Sequence, residues 1–262
     1  MSEYADIRGK VAIVSGAAQG LGRAFAERLV QEGCLVLAFD VKPEVESIDG
    51  VTAVIADVSK REDVERVVAQ AAAMGEIGVL VNNAGTWRRT LVDDSTWEQT
   101  VADWDYIMDT NLKGVLMLSR AVVPHMQKAG GHIINISSYY VLPARSDGTN
   151  NPDTDLYNAS KWALNGFTDA WAQYLAKDNI KVNGMAMGAT DTPMLRGLFA
   201  DGELPLGLSD SVMQAEDLAQ QMIDIIHSGR TGENFGAWVG EEISIGEQPP
   251  LHKRITGYGV DV

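Results

Sequence analysis

The sequence predicts one α/β domain built on a parallel sheet. Three observations carry that prediction. Short apolar runs rich in β-branched residues alternate with helix-periodic segments along the whole chain, with no linker and no internal repeat. A glycine-rich turn follows the first apolar run and opens a helix. The residues able to do chemistry, Gly16, Asp40, Asp57, Asn83, Ser138 and Gly188, each follow a predicted strand. In a parallel sheet those positions share the carboxyl edge, where ligands bind.

Lys10–Ser15 is the first strand, apolar throughout as expected of a strand covered on both faces. The turn Gly16-Ala17-Ala18-Gln19-Gly20-Leu21-Gly22 leads into a helix over Arg23–Glu32. A helix start offers free N–H groups and a positive dipole end to a phosphate. Glycine lets the backbone approach it closely. Leu35–Phe39 is the second strand and ends at Asp40. An acid about 20 residues after such a turn suits the two ribose hydroxyls of NAD and repels a 2′-phosphate. Lys42 is the nearest basic residue, so the expected cofactor is NAD.

Val51–Ala56 is the third strand; Asp57 and Val58 follow as adenine contacts, and Ser59 is the expected cap of a helix over Lys60–Met74. Val79–Val81 is the fourth, running into Asn82-Asn83-Ala84-Gly85, small and amide-bearing residues that suit a surface close to a cofactor. Thr86–Thr100 reads as a polar, aromatic loop whose start faces the mouth of the site. A helix is expected from Asp103 to about Lys128, with Asn111 in its interior, where it either bends the helix or holds a water. The fifth strand is His132–Ser137, the sixth Lys181–Met187, and a last strand begins at Ala237. Between the last two, 192–210 is a candidate flap and Gln214–Ser228 a helix.

The central motif is Tyr157-x-x-x-Lys161, opening a helix that continues to Leu175. Residues four apart share a helix face. A free tyrosine has a pKa near 10, and a nearby cation favours its phenolate. The pair is therefore a plausible proton-transfer device.

Taken together these pieces resemble the short-chain dehydrogenase/reductase family in its compact single-domain form, over about residues 8–240. The resemblance implies a Rossmann fold, a doubly wound seven-stranded parallel sheet flanked by helices. It also implies an active-site group of Asn111, Ser138, Tyr157 and Lys161. There Tyr157 exchanges a proton with the substrate oxygen and Ser138 hydrogen-bonds the same oxygen. Lys161 lowers the Tyr157 pKa and holds the nicotinamide ribose, and Asn111 positions a water. Thr190 and Thr192 stand where carboxamide contacts would be. The expected cofactor set is Gly16, Gln19, Gly20, Leu21, Gly22, Asp40, Asp57, Val58, Asn83, Ala84, Gly85, Tyr157, Lys161, Gly188, Thr190 and Thr192. Two departures from the family pattern stand out. Ser138 and Tyr157 are 19 residues apart, longer than is common, with the extra residues expected within Ala144–Asp155. Met187-Gly188 replaces the usual Pro-Gly.

The expected activity is NAD-dependent interconversion of a secondary alcohol and its carbonyl. A catalytically inactive NAD-binding regulator and an epimerase or dehydratase on the same fold are the alternatives. Substrate contacts are Ser138, Tyr157 and Arg145, with Trp87, Arg88, Tyr139, Tyr140, Asn150, Asn151, Met194 and Arg196 as further candidates. Aromatics with amides and arginines suit a sugar or hydroxy acid. The formal charge of −15 argues against nucleic acid and anionic membrane as partners. No apolar run approaches the ~20 residues of a membrane span. The N-terminus lacks the pattern of a secretory signal. The single cysteine, Cys34, fits a reducing compartment, so a cytoplasmic protein is expected. The four histidines show no metal-ligand spacing. Resemblance implies a tetramer or dimer, with the face Trp162, Leu164, Phe167, Trp171, Leu175 as a candidate interface. The tail 241–262 either crosses to a neighbouring subunit or frays.

Overall fold

The central strands are largely apolar because both faces of the sheet are covered. Val11 and Ile13 of β1 (Val11–Ser15) enter one core, while Ala12 and Val14 enter the other. The same alternation holds in β2 (Leu35–Asp40), where Leu37 and Phe39 oppose Val36 and Ala38. The computed structural model describes residues 7–93, 95–141 and 152–248. Arg145, Asn150, Asn151, most of the 144–155 extension and the tail beyond 248 lie outside them.

After β2 come β3 (Val51–Ile55), β4 (Ile77–Asn82), β5 (Gly131–Ile136), β6 (Ile180–Met187) and β7 (Asn234–Ala237). All seven pair in parallel, in the order β3-β2-β1-β4-β5-β6-β7. The helices are α1 (Gly20–Gln31), α2 (Arg61–Met74), α3 (Trp97–Met108), α4 (Val115–Met126), α5 (Asp155–Leu175), the short α6 (Pro193–Arg196) and α7 (Ala215–Ser228). α1 packs against α7, and α2 against α4, on opposite faces. Strand order reverses between β1 and β4, which opens a crevice above their carboxyl ends.

Several boundaries differ from the sequence expectation. α3 begins at Trp97, within the expected loop, because the Thr96 hydroxyl accepts the Gln99 N–H and caps it. β7 begins at Asn234, earlier than expected. Asn234 and Gly236 are poor strand formers, and pairing with Gly184–Met187 overrides that preference. The helix through Asn111 is interrupted by a π-helical turn, Asp109–Gly114, between α3 and α4. Ser59 does not cap α2. The Asp57 carboxylate takes both the N–H and the hydroxyl of Ser59, at 2.9 and 2.7 Å.

The beginning of the tail belongs to its own chain. Ile243 and Ile245 pack on the core, and the buried Arg230 donates to the carbonyls of Ile245 and Gly246 at 2.8 and 2.9 Å while ion-pairing with Glu233. The expected interface face also divides. Leu164 and Leu175 are core residues, whereas Phe167 and Trp171 stack outside them with centroids 4.6 Å apart.

His132 of β5 is buried, and burial, aided by the nearby Lys181, lowers its pKa to about 4. An unfolded histidine protonates near pH 6.5. The folded chain therefore loses stability as pH falls from 6.5 towards 4, where only the unfolded state binds this proton. Urea unfolding of His132→Leu and wild type should show the variant gaining, relative to wild type, on the order of 3 kcal/mol between pH 7 and pH 4. A constant difference across that range refutes this account.

Candidate active site

The crevice is organised by Ser15 and Asn83, which end adjacent strands. The Ser15 hydroxyl oxygen accepts the N–H groups of Asn83 and Ala84, both at 3.0 Å. In return the Asn83 amide donates to the carbonyls of Ser15 and Gly16, at 3.0 and 2.9 Å. Asn83 thus holds the glycine turn from behind. Gly16 has φ +66°, and a Cβ there would lie 2.7 Å from the Ala84 Cα. A Cβ on Gly22 would lie 2.1 Å from the Gly16 carbonyl oxygen. Neither site admits a side chain.

The turn delivers the chain to α1 with its positive end open. Gln19 stands at the N-cap without capping through its side chain, and no acid occupies the first turn. Above lies a cleft of about 880 Å³, lined by Gln19, Gly20, Leu21, Asp40, Val58 and Gly85 among others. The Asp40 carboxylate is fixed at its far end by the N–H groups of Ala18 and Lys42, both at 3.0 Å. The Lys42 ammonium is held by the Gln19 side chain at 3.0 Å. A glycine floor, an uncapped helix start and a positioned acid fit a dinucleotide.

At the other end, α5 carries Tyr157 in its first turn and Lys161 one turn later. The Tyr157 hydroxyl is hydrogen-bonded to Ser138. Ser137 turns away and donates to the Lys161 carbonyl at 3.3 Å, so Ser138 is the serine that faces the phenol. The Lys161 ammonium donates to the Ile136 carbonyl at 2.8 Å and lies 5.6 Å from the Tyr157 ring centroid. Burial raises the Tyr157 pKa to about 12, against the opposing effect of the Ser138 hydrogen bond. Burial lowers that of Lys161 to about 8. Desolvation is the largest influence on the phenol.

Asn111 is buried in the π turn with its side chain fully engaged. Its amide donates to the Thr86 carbonyl and the Ser160 hydroxyl, both at 3.0 Å, and its carbonyl accepts the Thr86 N–H at 2.7 Å. It ties the segment after β4 to α5. That segment is anchored again where Thr90 pairs with Thr154, beside the start of α5.

The family model described as short chain dehydrogenase matches residues 10–203. The chain belongs to the short-chain dehydrogenase family. It is 37% identical over 218 residues to a 3-oxoacyl-[acyl-carrier-protein] reductase of Thermotoga maritima, covering 77% of this chain and 85% of the relative. It is 34% identical over 259 residues to a trans-4-hydroxycyclohexanecarboxylate dehydrogenase of Sinomonas cyclohexanicum, covering 92% and 96%. A crystal structure of a 3-ketoacyl-(acyl-carrier-protein) reductase from Brucella melitensis, complexed with NADH, superposes with a TM-score of 0.75. That match has 28% identity and covers 89% of this chain and 98% of the other. Family membership makes the chain an oxidoreductase acting between hydroxyl and carbonyl groups.

Within that family frame, the remaining expected residues divide. Thr192 lines the cleft and packs its methyl 3.2 Å from where a Gly20 Cβ would stand. Thr190 is buried, its hydroxyl donating to the Gly188 carbonyl at 3.1 Å. Trp87 and Met194 line the cleft as expected. Arg88 and Arg196 do not present free charge. Arg88 pairs with the buried Asp103 at 2.6 Å and stacks over Tyr106. Arg196 forks onto Asp191 at 2.6 and 2.9 Å, which lowers the Asp191 pKa. Sequence reasoning missed Tyr106, Asp109 and Thr110, which line the cleft from α3 and the π turn. It also missed Trp238, whose ring meets Tyr139 edge-on.

Removing the Asn83 amide tests the pin beneath the glycine turn. Asn83→Ala should lose about 2 kcal/mol in urea unfolding. It should also weaken NADH binding about tenfold or more in fluorescence titration. Unchanged midpoint and affinity would rule the pin out.

Proposed function

We propose that this chain is an NAD-dependent dehydrogenase or reductase that interconverts a secondary alcohol and its carbonyl. The single observation that carries the reading is the Ser138, Tyr157 and Lys161 group beside Gly85, where a Cβ would stand 3.6 Å from the Lys161 ammonium, Gly85 lining the same cleft as Asp40. In this reading the cofactor supplies hydride transfer at the carbinol carbon through its nicotinamide. Gly16, Gly20 and Gly22 with the α1 start take the phosphates, and Asp40 takes the adenosine ribose.

The chain's own residues handle the proton. Ser138 donates a hydrogen bond to the substrate oxygen, and Tyr157 exchanges the proton on that oxygen. A phenol held up at about 12 stays protonated near neutral pH, ready to give its proton to a carbonyl. Oxidation of an alcohol needs the phenolate, which the Lys161 ammonium favours over a neutral amine. Lys161, anchored on Ile136, also stands where it can hold the nicotinamide ribose. Asn111 acts by fixing Thr86 and Ser160 around that group.

NAD over NADP rests on Asp40, an acid that would repel a 2′-phosphate on the adenosine ribose; the nearby Lys42 is hydrogen-bonded to Gln19. The reading includes a reducing, cytoplasmic setting, supported by a lone buried thiol, Cys34. It also includes a homo-oligomer, supported by exposed Trp97, Val101 and Trp104 on α3.

Tyr157→Phe should reduce kcat by about 10³-fold or more while NADH still binds. A fully active Phe variant removes the mechanism. Asp40→Ser should raise the NADP-to-NAD ratio of kcat/KM by about tenfold or more, since a repulsive charge is worth on the order of 1 to 3 kcal/mol. An unmoved ratio would show that Asp40 does not select the cofactor.

A further inference from the structure

The cofactor cleft lies over β1 to β4, but the opposite flank of Tyr157, over β5 to β7, is aromatic. Tyr139 and Tyr140 follow Ser138 directly in a single 3₁₀ turn, Tyr139–Val141. Their rings lie 4.4 Å apart, centroid to centroid. Trp238, just past β7, meets Tyr139 edge-on at 6.1 Å and 90°. Tyr139 reaches across the end of β6, its Cδ1 3.8 Å from where a Gly188 Cβ would stand, an ordinary van der Waals contact. The Tyr140 N–H lies 3.5 Å from the Ser138 hydroxyl. The turn is fixed to α5 by the Asn165 amide, which donates to the Val141 carbonyl at 3.0 Å. The wall is therefore held rigidly beside the reacting oxygen.

Its chemistry is that of ring faces. Burial, aided by a hydrogen bond to Tyr139, raises the Tyr140 pKa. Two arginines that could take a carboxylate near the mouth, Arg88 and Arg196, are already ion-paired. Arg89 is paired with Asp153 as well. Trp87, Met194 and Leu198 complete the adjoining rim.

We infer that the substrate is a neutral carbocyclic or aryl alcohol or ketone, not a sugar, whose reacting carbon lies in the apolar ring or is bonded to it, stacked on the wall of Tyr139, Tyr140 and Trp238. The absence of a spacer rests on adjacency: Tyr139 is the residue next to Ser138 and is near enough to Tyr157 to act on it electrostatically, so aromatic surface lies close to the place of the reacting oxygen. A ring packed there gains area and π contact that a flexible chain of equal carbon number does not. This inference rests on the catalytic reading above, since it assigns the substrate class of the same site.

The test is steady-state kinetics with saturating NAD on cyclohexanol, 1-phenylethanol, 2-hexanol, lactate and glucose. Wild type should favour cyclohexanol or 1-phenylethanol over 2-hexanol by about tenfold or more in kcat/KM, the size of one aromatic contact. Tyr139→Leu and Trp238→Leu should each collapse that ratio towards one through KM, while the NADH Kd moves less than about twofold. Tyr139→Phe, which keeps the ring and removes the hydroxyl, should keep the preference and guards against a Leu variant that does not fold. A preference for lactate or glucose overturns the inference. So does a ring-to-chain ratio unmoved in both Leu variants, a ratio lost in Tyr139→Phe, or no turnover of either ring alcohol. Failure of the catalytic reading is separate: it shows as full activity in Tyr157→Phe or as absence of NADH binding.

Discussion

The Asn83 amide, donating to the carbonyls of Ser15 and Gly16, joins the ends of β4 and β1 where the strand order reverses. On one side of this joint the chain must climb away from the sheet through a turn with no Cβ at Gly16 and Gly22. On the other it must continue through Ala84 and Gly85 towards Asn111. A parallel sheet covered on both faces leaves its carboxyl edge as the place where polar groups can meet a ligand. The joint therefore sets where the cleft begins. It also sets how far Asp40 stands from Tyr157.

Electrostatics at the two ends of the cleft differ in kind. Around Asp40 the charge stays near water, and backbone N–H groups of Ala18 and Lys42 hold the carboxylate in place. Around Tyr157 the surroundings are dry. Desolvation pushes the phenol towards its neutral form and the Lys161 ammonium towards its own. The Ser138 hydrogen bond pulls the phenol back only in part. Asn111 ties the π turn to α5 through Ser160, and Ser137 ties the end of β5 to α5 through the Lys161 carbonyl. The Tyr157 group is flanked on its outer side by Tyr139, Tyr140 and Trp238, which extend the apolar surroundings.

Much of this was legible from local pattern. The strands were readable because continuous apolar runs have one use in a chain of this size, a strand buried on both faces. The glycine turn, Asp40 and the Tyr157-Lys161 spacing were readable because each is a short-range requirement. Other features had weak or ambiguous signals. The Thr96-x-x-Gln99 start of α3 was present in the sequence, but a polar and aromatic neighbourhood hid it. Asn111 was flagged as misplaced in a helix; that it would be absorbed by a π turn and three hydrogen bonds was not deducible from spacing. Ser59 looked like a cap, but its N–H and hydroxyl are taken by the Asp57 carboxylate two residues before it.

What the sequence determined by itself was the alternation of elements, the edge of the sheet that carries the candidate site and the Tyr157-Lys161 spacing that proposes a proton-transfer pair. All of these follow from periodicity and from residue types a few positions apart. Only the tertiary structure decided which charges were free. Arg88 and Arg196 looked available to a substrate until Asp103 and Asp191 were brought against them. It likewise decided that Trp238, 100 residues beyond Ser138, stands against Tyr139. It decided too how far Tyr157 and Lys161 are desolvated, which pushes the phenol up and the ammonium down. The reason is physical: ion pairing, stacking and desolvation depend on distances between segments far apart in the chain, and no local pattern encodes those distances.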